Sequence, residues 1–142
     1  MTAYSKIYLE DAMANLAAML DYGSSNYGDE DVFFERFLAS DISKQFGKGN
    51  PKYVCGMSGI ELAERVIKDT GGSPVYAEYR NIINPDINWT GWILAYLQWY
   101  SGLSFEALAD NGVRPCLLMK LYPTLHEVDI TKITEVLKEE LK

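Results

Sequence analysis

Trp89-Thr90-Gly91-Trp92-Ile93-Leu94-Ala95-Tyr96-Leu97-Gln98-Trp99-Tyr100 holds all three tryptophans of the chain, and its only clearly polar side chains are Thr90 and Gln98. As a helix it spans about 18 Å at ~1.5 Å per residue, short of the ~17–25 apolar residues that a bilayer crossing needs. A helix apolar on every side has to be sheathed by other helices. Each ring can bury roughly 150–250 Å², so the stretch predicts a central aromatic helix over about 89–100. On this reading Trp92, Tyr96 and Trp99 are mostly buried, and Ile93 and Leu97 form a second buried face. Trp92→Ala should then cost about 3–5 kcal/mol, the range for aromatic truncation in a core.

Outward from this segment the chain reads as helices. Leu9, Met13, Leu16 and Leu20 recur at helical steps within 4–22, and Gly23-Ser24-Ser25-Asn26-Tyr27-Gly28 should end that helix. Asp29 can cap a helix carrying Phe33, Phe34, Phe37 and Leu38. A short turn follows over 41–46, stopped by Gly47, and 47–53 reads as loop. Ser58-Gly59-Ile60-Glu61 is a capping-box pattern opening a helix that Gly71-Gly72 closes. The stretch 73–88 has no clean period; a helix is expected over 74–82, with Asn84-Pro85-Asp86 as a turn. Further helices are expected over 105–110, from Pro115 to about Leu121 where Pro123 bars continuation, and after Asp129. The fold class is all-α: a single helical domain over 1–142, a compact bundle of about six to eight helices.

A composition 48% hydrophobic and 13% aromatic argues against disorder. The net charge of −7 is uneven: residues 1–40 carry seven acidic and two basic side chains, and 41–126 carry eight of each. Binding nucleic acid requires phosphate neutralisation, so nucleic acid is not an expected partner. The N-terminus lacks the apolar core of a signal peptide, and no stretch could span a membrane. A cytoplasmic protein with reduced thiols is the expectation.

Cys55 and Cys116 form neither a CxxC nor a zinc spacing, and nothing beside them marks an activated thiol. His126 is the single histidine; with Glu127 it makes a candidate polar site but cannot build a multi-histidine metal centre. No catalytic residue, cofactor or metal is therefore expected. Gly47-Lys48-Gly49-Asn50 lacks the Walker pattern and a preceding strand. Lys44, Lys48 and Lys52 recur every four residues around it, so Lys44, Lys48, Asn50 and Lys52 form a candidate anion- or partner-binding loop.

Residues 93–122 have the order of a helix-turn-helix: helix, Gly102, a capped short helix, Asn111-Gly112-Val113, helix. This resembles Xre-type repressors, with Ala109 three residues before Gly112 where the usual spacing is four. The would-be reading helix offers only Arg114 and Lys120 as DNA contacts, and Cys116-Leu117-Leu118-Met119 is apolar. A reading helix presents polar groups to base edges. The segment is thus expected to keep the topology without the DNA-binding surface.

Three further stretches carry a second resemblance: Gln45-Phe46-Gly47-Lys48-Gly49-Asn50-Pro51-Lys52-Tyr53 followed by Gly56-Met57-Ser58-Gly59, then Gly91 to Tyr100, then Leu121-Tyr122-Pro123-Thr124-Leu125-His126-Glu127. Over about residues 30–140 the chain resembles a family of small uncharacterised bacterial proteins encoded beside an ADP-ribosyltransferase-like protein, as in a toxin–antitoxin locus. The resemblance implies a partner protein, the product of the neighbouring toxin-like gene, and brings no catalytic residues. The leading expectation is a non-enzymatic protein–protein interaction module, antitoxin-like or a mobile-element-type inhibitor. The alternatives are a helix-turn-helix DNA-binding regulator using Arg114 and Lys120, or a small-ligand or anion-binding protein or enzyme around Lys48, Asn50, Lys52 and His126. The sequence sets no oligomeric state.

Overall fold

The computed structural model describes residues 2–75 and 84–140, and every regular element among them is helical. A single 3-10 turn (Lys6–Tyr8) leads into α1 (Leu9–Asn26), followed by α2 (Glu30–Ala39), α3 (Asp41–Gly47), α4 (Pro51–Val54) and α5 (Gly59–Asp69). After the undescribed 76–83 come α6 (Pro85–Ser101), α7 (Phe105–Asp110), α8 (Pro115–Leu125) and α9 (Ile130–Glu140). The all-α bundle expected from the sequence is what forms. Among the described residues no helix is long and apolar enough to cross a membrane.

The hub is α1, with α6 and α5 packed along it and α2 beside them; α8 covers α6. Two glycines make the close crossings. A Cβ at Gly91 of α6 would lie 2.7 Å from Ala17 Cα and 2.8 Å from Leu16 O. A Cβ at Gly59 of α5 would lie 2.5 Å from Ala18 Cβ and from Asn15 O. Because backbone meets backbone at Gly91, α6 turns its narrow face inward: Thr90, Gly91, Ile93, Leu94, Ala95, Leu97, Gln98 and Trp99 are buried.

That geometry corrects the expected aromatic core. Ile93 and Leu97 are buried as expected, and Trp99 is buried with Nε1 donating to Tyr4 O at 2.8 Å. Trp92, however, is 37% exposed, while Tyr96 is packed against the core and mostly covered, as expected. Trp92 lies one position from Gly91, where α6 is held at glycine distance from α1, and its indole turns outward. The aromatic core comes from phenylalanine instead. Phe33, Phe34 and Phe37 of α2, Phe46 of α3 and Phe105 of α7 are fully buried. Phe37 meets Phe105 edge-on at 5.2 Å between centroids and Phe34 at 5.8 Å.

The caps at Asp29, Ser58 and Ser104 form as read, each side chain accepting a first-turn N–H at 2.9, 3.2 and 3.0 Å. Asp129 accepts from Thr131 N at 2.9 Å ahead of α9. Several boundaries differ. α1 runs on through Gly23-Ser24-Ser25-Asn26 because Ser24 and Ser25 donate to Asp21 O (3.1 and 2.9 Å) and Asn26 to Tyr22 O (2.9 Å). Pro51–Val54, read as loop, is one helical turn capped by Asn50. Asn84-Pro85-Asp86 opens α6 four residues before Trp89, with Pro85 in the first turn. Asn84 donates from N (3.3 Å) and Nδ2 (2.8 Å) to the buried Asp21 carboxylate of α1, which fixes that start. Pro123 lies inside α8 rather than beyond it. Its missing N–H deletes one bond in the last turn only, and His126 N still donates to Tyr122 O at 3.0 Å. The helix expected over 74–82 falls mostly outside the described residues; Pro74 and Val75 are not helical.

Tyr4, part-buried against Gly49, has a hydroxyl with no hydrogen-bond partner among the described residues. Burial raises its pKa from 10.0 to about 12. The unfolded chain loses this proton first, so the contribution is whole below pH 10 and is lost as pH rises toward 12. Tyr4→Phe should leave neutral-pH stability unchanged or raise it by about 1 kcal/mol, since an unsatisfied buried hydroxyl is removed. It should also flatten the loss of melting temperature between pH 10 and 12.

Candidate functional site

The lysine loop does not converge. Lys44 and Lys48 line a cavity of about 240 Å³ with Ser43, Gly47, Gln98 and Ser104, whereas Lys52 lies elsewhere, its Nζ 5.4 Å from the ring centroid of Tyr53. The amides that could hold an anion are spent on closing α3: Lys48 N donates to Lys44 O (3.1 Å), Gly49 N to Phe46 O (2.9 Å) and Asn50 N to Gln45 O (3.1 Å). The last two bonds, with Gly49 at φ +80°, are a Schellman closure. Asn50 is committed too, accepting from Lys52 N (3.1 Å) and donating to Gln45 Oε1 (3.2 Å). An anion would find two mobile ammonium groups and no backbone cradle.

Buried Gln98 explains why a polar residue interrupts the apolar stretch. Its Nε2 donates to Gly47 O (2.9 Å) and Leu103 O (2.8 Å), tying α6 to the ends of α3 and of its own turn.

The α7–turn–α8 arrangement forms over Phe105–Leu125, but its N-terminal end meets protein. Arg114 pairs with Glu35 of α2, and Cys116 N donates to Asp31 Oδ1 at 3.1 Å. In helix-turn-helix proteins the N-terminal residues of the second helix reach the bases; here that end is met by two carboxylates. Leu118 is buried, Leu117 and Met119 are half-buried, and Cys116 is exposed, so only part of the apolar run turns inward. Lys120 is exposed. The Arg114–Glu35 pair is itself half-exposed, and such pairs contribute ~0–1 kcal/mol. Arg114→Ala should therefore lower stability by less than about 1 kcal/mol in a denaturant melt.

His126 closes α8 with its ring stacked on Tyr122 at 4.4 Å and Nδ1 donating to Tyr122 O at 2.7 Å. Nε2 stands 3.8 Å from Glu127 Oε1. The histidine thus edges a different feature, an aromatic surface. Trp89, Trp92, Tyr96 and Tyr100 follow at steps of three, four and four along the outer face of α6. Trp92 and Tyr100 are 37% and 41% exposed, and Leu103 just past the helix is 44% exposed. Tyr96 and Tyr100 stack at 5.9 Å, and Trp89 meets Tyr122 edge-on at 5.6 Å. Between α6 and α8 an open groove of about 410 Å³ is lined by Pro85, Asn88, Trp89, Trp92, Tyr122 and His126. The sequence flagged these rings but assigned them to the core. The signal for a two-faced helix was Gly91 and Ala95 on the opposite side.

Ring contacts join Tyr96 to Tyr100 and Trp89 to Tyr122, and among the described residues no lysine, arginine or carboxylate lines the groove. It can bury apolar surface against a complementary protein. No family model, curated protein or solved structure matches this chain.

Proposed function

We propose that this protein is a non-enzymatic interaction module, an antitoxin-like inhibitor that holds a partner protein against the outer face of α6. The observation that carries the reading is the aromatic outer face of α6, where Trp92 and Tyr100 are exposed between the partly buried Trp89 and Tyr96, with a groove against Tyr122. Interface hot spots are enriched in tryptophan and tyrosine, whose rigid rings gain contact area at little entropic cost. Singly exposed apolar residues need no explanation, whereas a contiguous apolar patch marks an interaction surface. The net charge of −7 favours a partner with a basic surface, because complementary charge raises encounter rate and selectivity. The likeness to proteins encoded beside ADP-ribosyltransferase-like genes supports the product of such a gene as that partner.

Co-expression with the adjacent gene product, followed by size-exclusion chromatography, tests this: one co-eluting complex is expected, and separate elution would refute it. The rival reading, a DNA-binding regulator, draws on the α7–α8 topology, yet Asp31 and Glu35 stand where phosphate would approach. A gel shift with promoter DNA near physiological salt should give no retarded band.

A further inference from the structure

A second site lies on α1, α3, α4 and α5, sharing no residue with the α6 face. A cleft of about 780 Å³ opens there, within the ~300–1,000 Å³ range of small-molecule pockets. Glu64 of α5 lines it and is only 8% exposed. Its two oxygens each accept from a phenol, Oε1 from Tyr22 and Oε2 from Tyr27. Tyr27 Oη in turn accepts from Val75 N at 2.9 Å, which fixes its hydroxyl as the donor to Glu64. Burial, and secondarily the Glu64 bond, raise the Tyr27 pKa above 10.0, so the phenol keeps its proton at neutral pH.

Buried charges are normally balanced by a countercharge. Among the described residues no lysine or arginine lies within ion-pair distance of Glu64, which has only neutral donors. A carboxylate has about four acceptor positions, of which hydrogen bonds from the described residues fill two. The walls include the rings of Tyr22 and Tyr53, and the rim carries Asp41, Glu61 and Asp69 against Arg65 and Lys68. Among the described lining residues, four acidic side chains (Asp41, Glu61, Glu64 and Asp69) thus stand against two basic ones, beside the rings of Tyr22 and Tyr53.

We propose that this cleft binds an alkylguanidinium group, which pairs with the Glu64 carboxylate lining it and lies against Tyr22 and Tyr53. Guanidinium fits better than ammonium because it is planar, bonds a carboxylate bidentately and stacks on aromatic faces. The same chemistry is available from a free arginine-like metabolite or from an arginine on a protein chain.

The full-length protein is titrated calorimetrically with argininamide, with a Gly-Ser-Arg-Ser-Gly peptide and with its lysine counterpart. Saturable one-to-one binding of the guanidinium probes, tighter than the lysine peptide, is expected. A peptide that binds more tightly than argininamide identifies a protein source, and equal affinity identifies a free metabolite. Glu64→Gln, which keeps an acceptor and a donor for the two phenols, should weaken binding by about 10- to 100-fold, as loss of a charged hydrogen-bond partner does. Should that variant melt early, Arg65→Glu on the exposed rim decides separately. It removes a like charge and should tighten binding several-fold at low salt. No saturable binding by either guanidinium probe, or affinity indifferent to both substitutions, would overturn the proposal.

Discussion

Gly91→Val lowers the melting temperature by several degrees, up to about 10 °C, because α6 is pressed onto α1 at glycine distance. The Cβ atom itself would sit 2.7 Å from Ala17 Cα and 2.8 Å from Leu16 O, and both are backbone, so no rotamer relieves the clash. The two helices have to part, and overpacking of this kind costs ~1–3 kcal/mol or more. At ~2–8 °C per kcal/mol for domains near this size, a shift of several degrees, up to about 10 °C, follows. Gly91→Ala gives the sharper test of sign. Helix propensity alone favours alanine by ~1 kcal/mol, whereas the packing makes even one methyl group destabilising. Thermal melts followed by circular dichroism decide between them, and an alanine variant more stable than wild type would contradict the close crossing.

Phe37→Ala should cost about 3–5 kcal/mol, the range for a phenylalanine truncated in a sealed core. Its ring is 0% exposed and sits between Phe34 and Phe105, so deletion leaves a cavity at the junction of α2 and α7. Urea unfolding should show a lowered midpoint with an unchanged slope, the signature of lost stability in a still-native fold. Trp92→Ala, which the sequence alone ranks as equally severe, should cost clearly less than Phe37→Ala, because Trp92 is already 37% exposed to solvent.

What the sequence disclosed follows from which interactions are local. The caps at Asp29, Ser58, Ser104 and Asp129 act within one turn, and their residue types name them. The boundaries that escaped depend on distant partners or on side chains tied back to the preceding turn. Asp21 reaches across 63 residues to fix the start of α6 at Asn84, and Ser24, Ser25 and Asn26 support a helix that their own propensities oppose. The facing of α6 was hidden because a segment apolar all round has no period to read. Only its neighbour's backbone, meeting Gly91, decides which side turns in. Among candidate site residues, Lys44 with Lys48 shares a cavity and His126 edges the aromatic groove, while Asn50 and Arg114 are committed to a helix cap and an ion pair. Glu64 gave no signal in sequence, since its two phenols lie 42 and 37 residues away.

The most direct measurement of the central claim, that α6 turns its aromatic face outward to hold a partner, pairs two readings on Trp92→Ala. One is the melting temperature of the isolated protein; the other is retention of the proposed ADP-ribosyltransferase-like partner on size exclusion. Trp92→Ala is expected to melt within about 5 °C of wild type and well above Phe37→Ala, and to lose the complex, as truncating a hot-spot tryptophan costs ~2 kcal/mol or more of binding. A variant that melts about 10 °C lower, or one that keeps its partner undiminished, would contradict the claim.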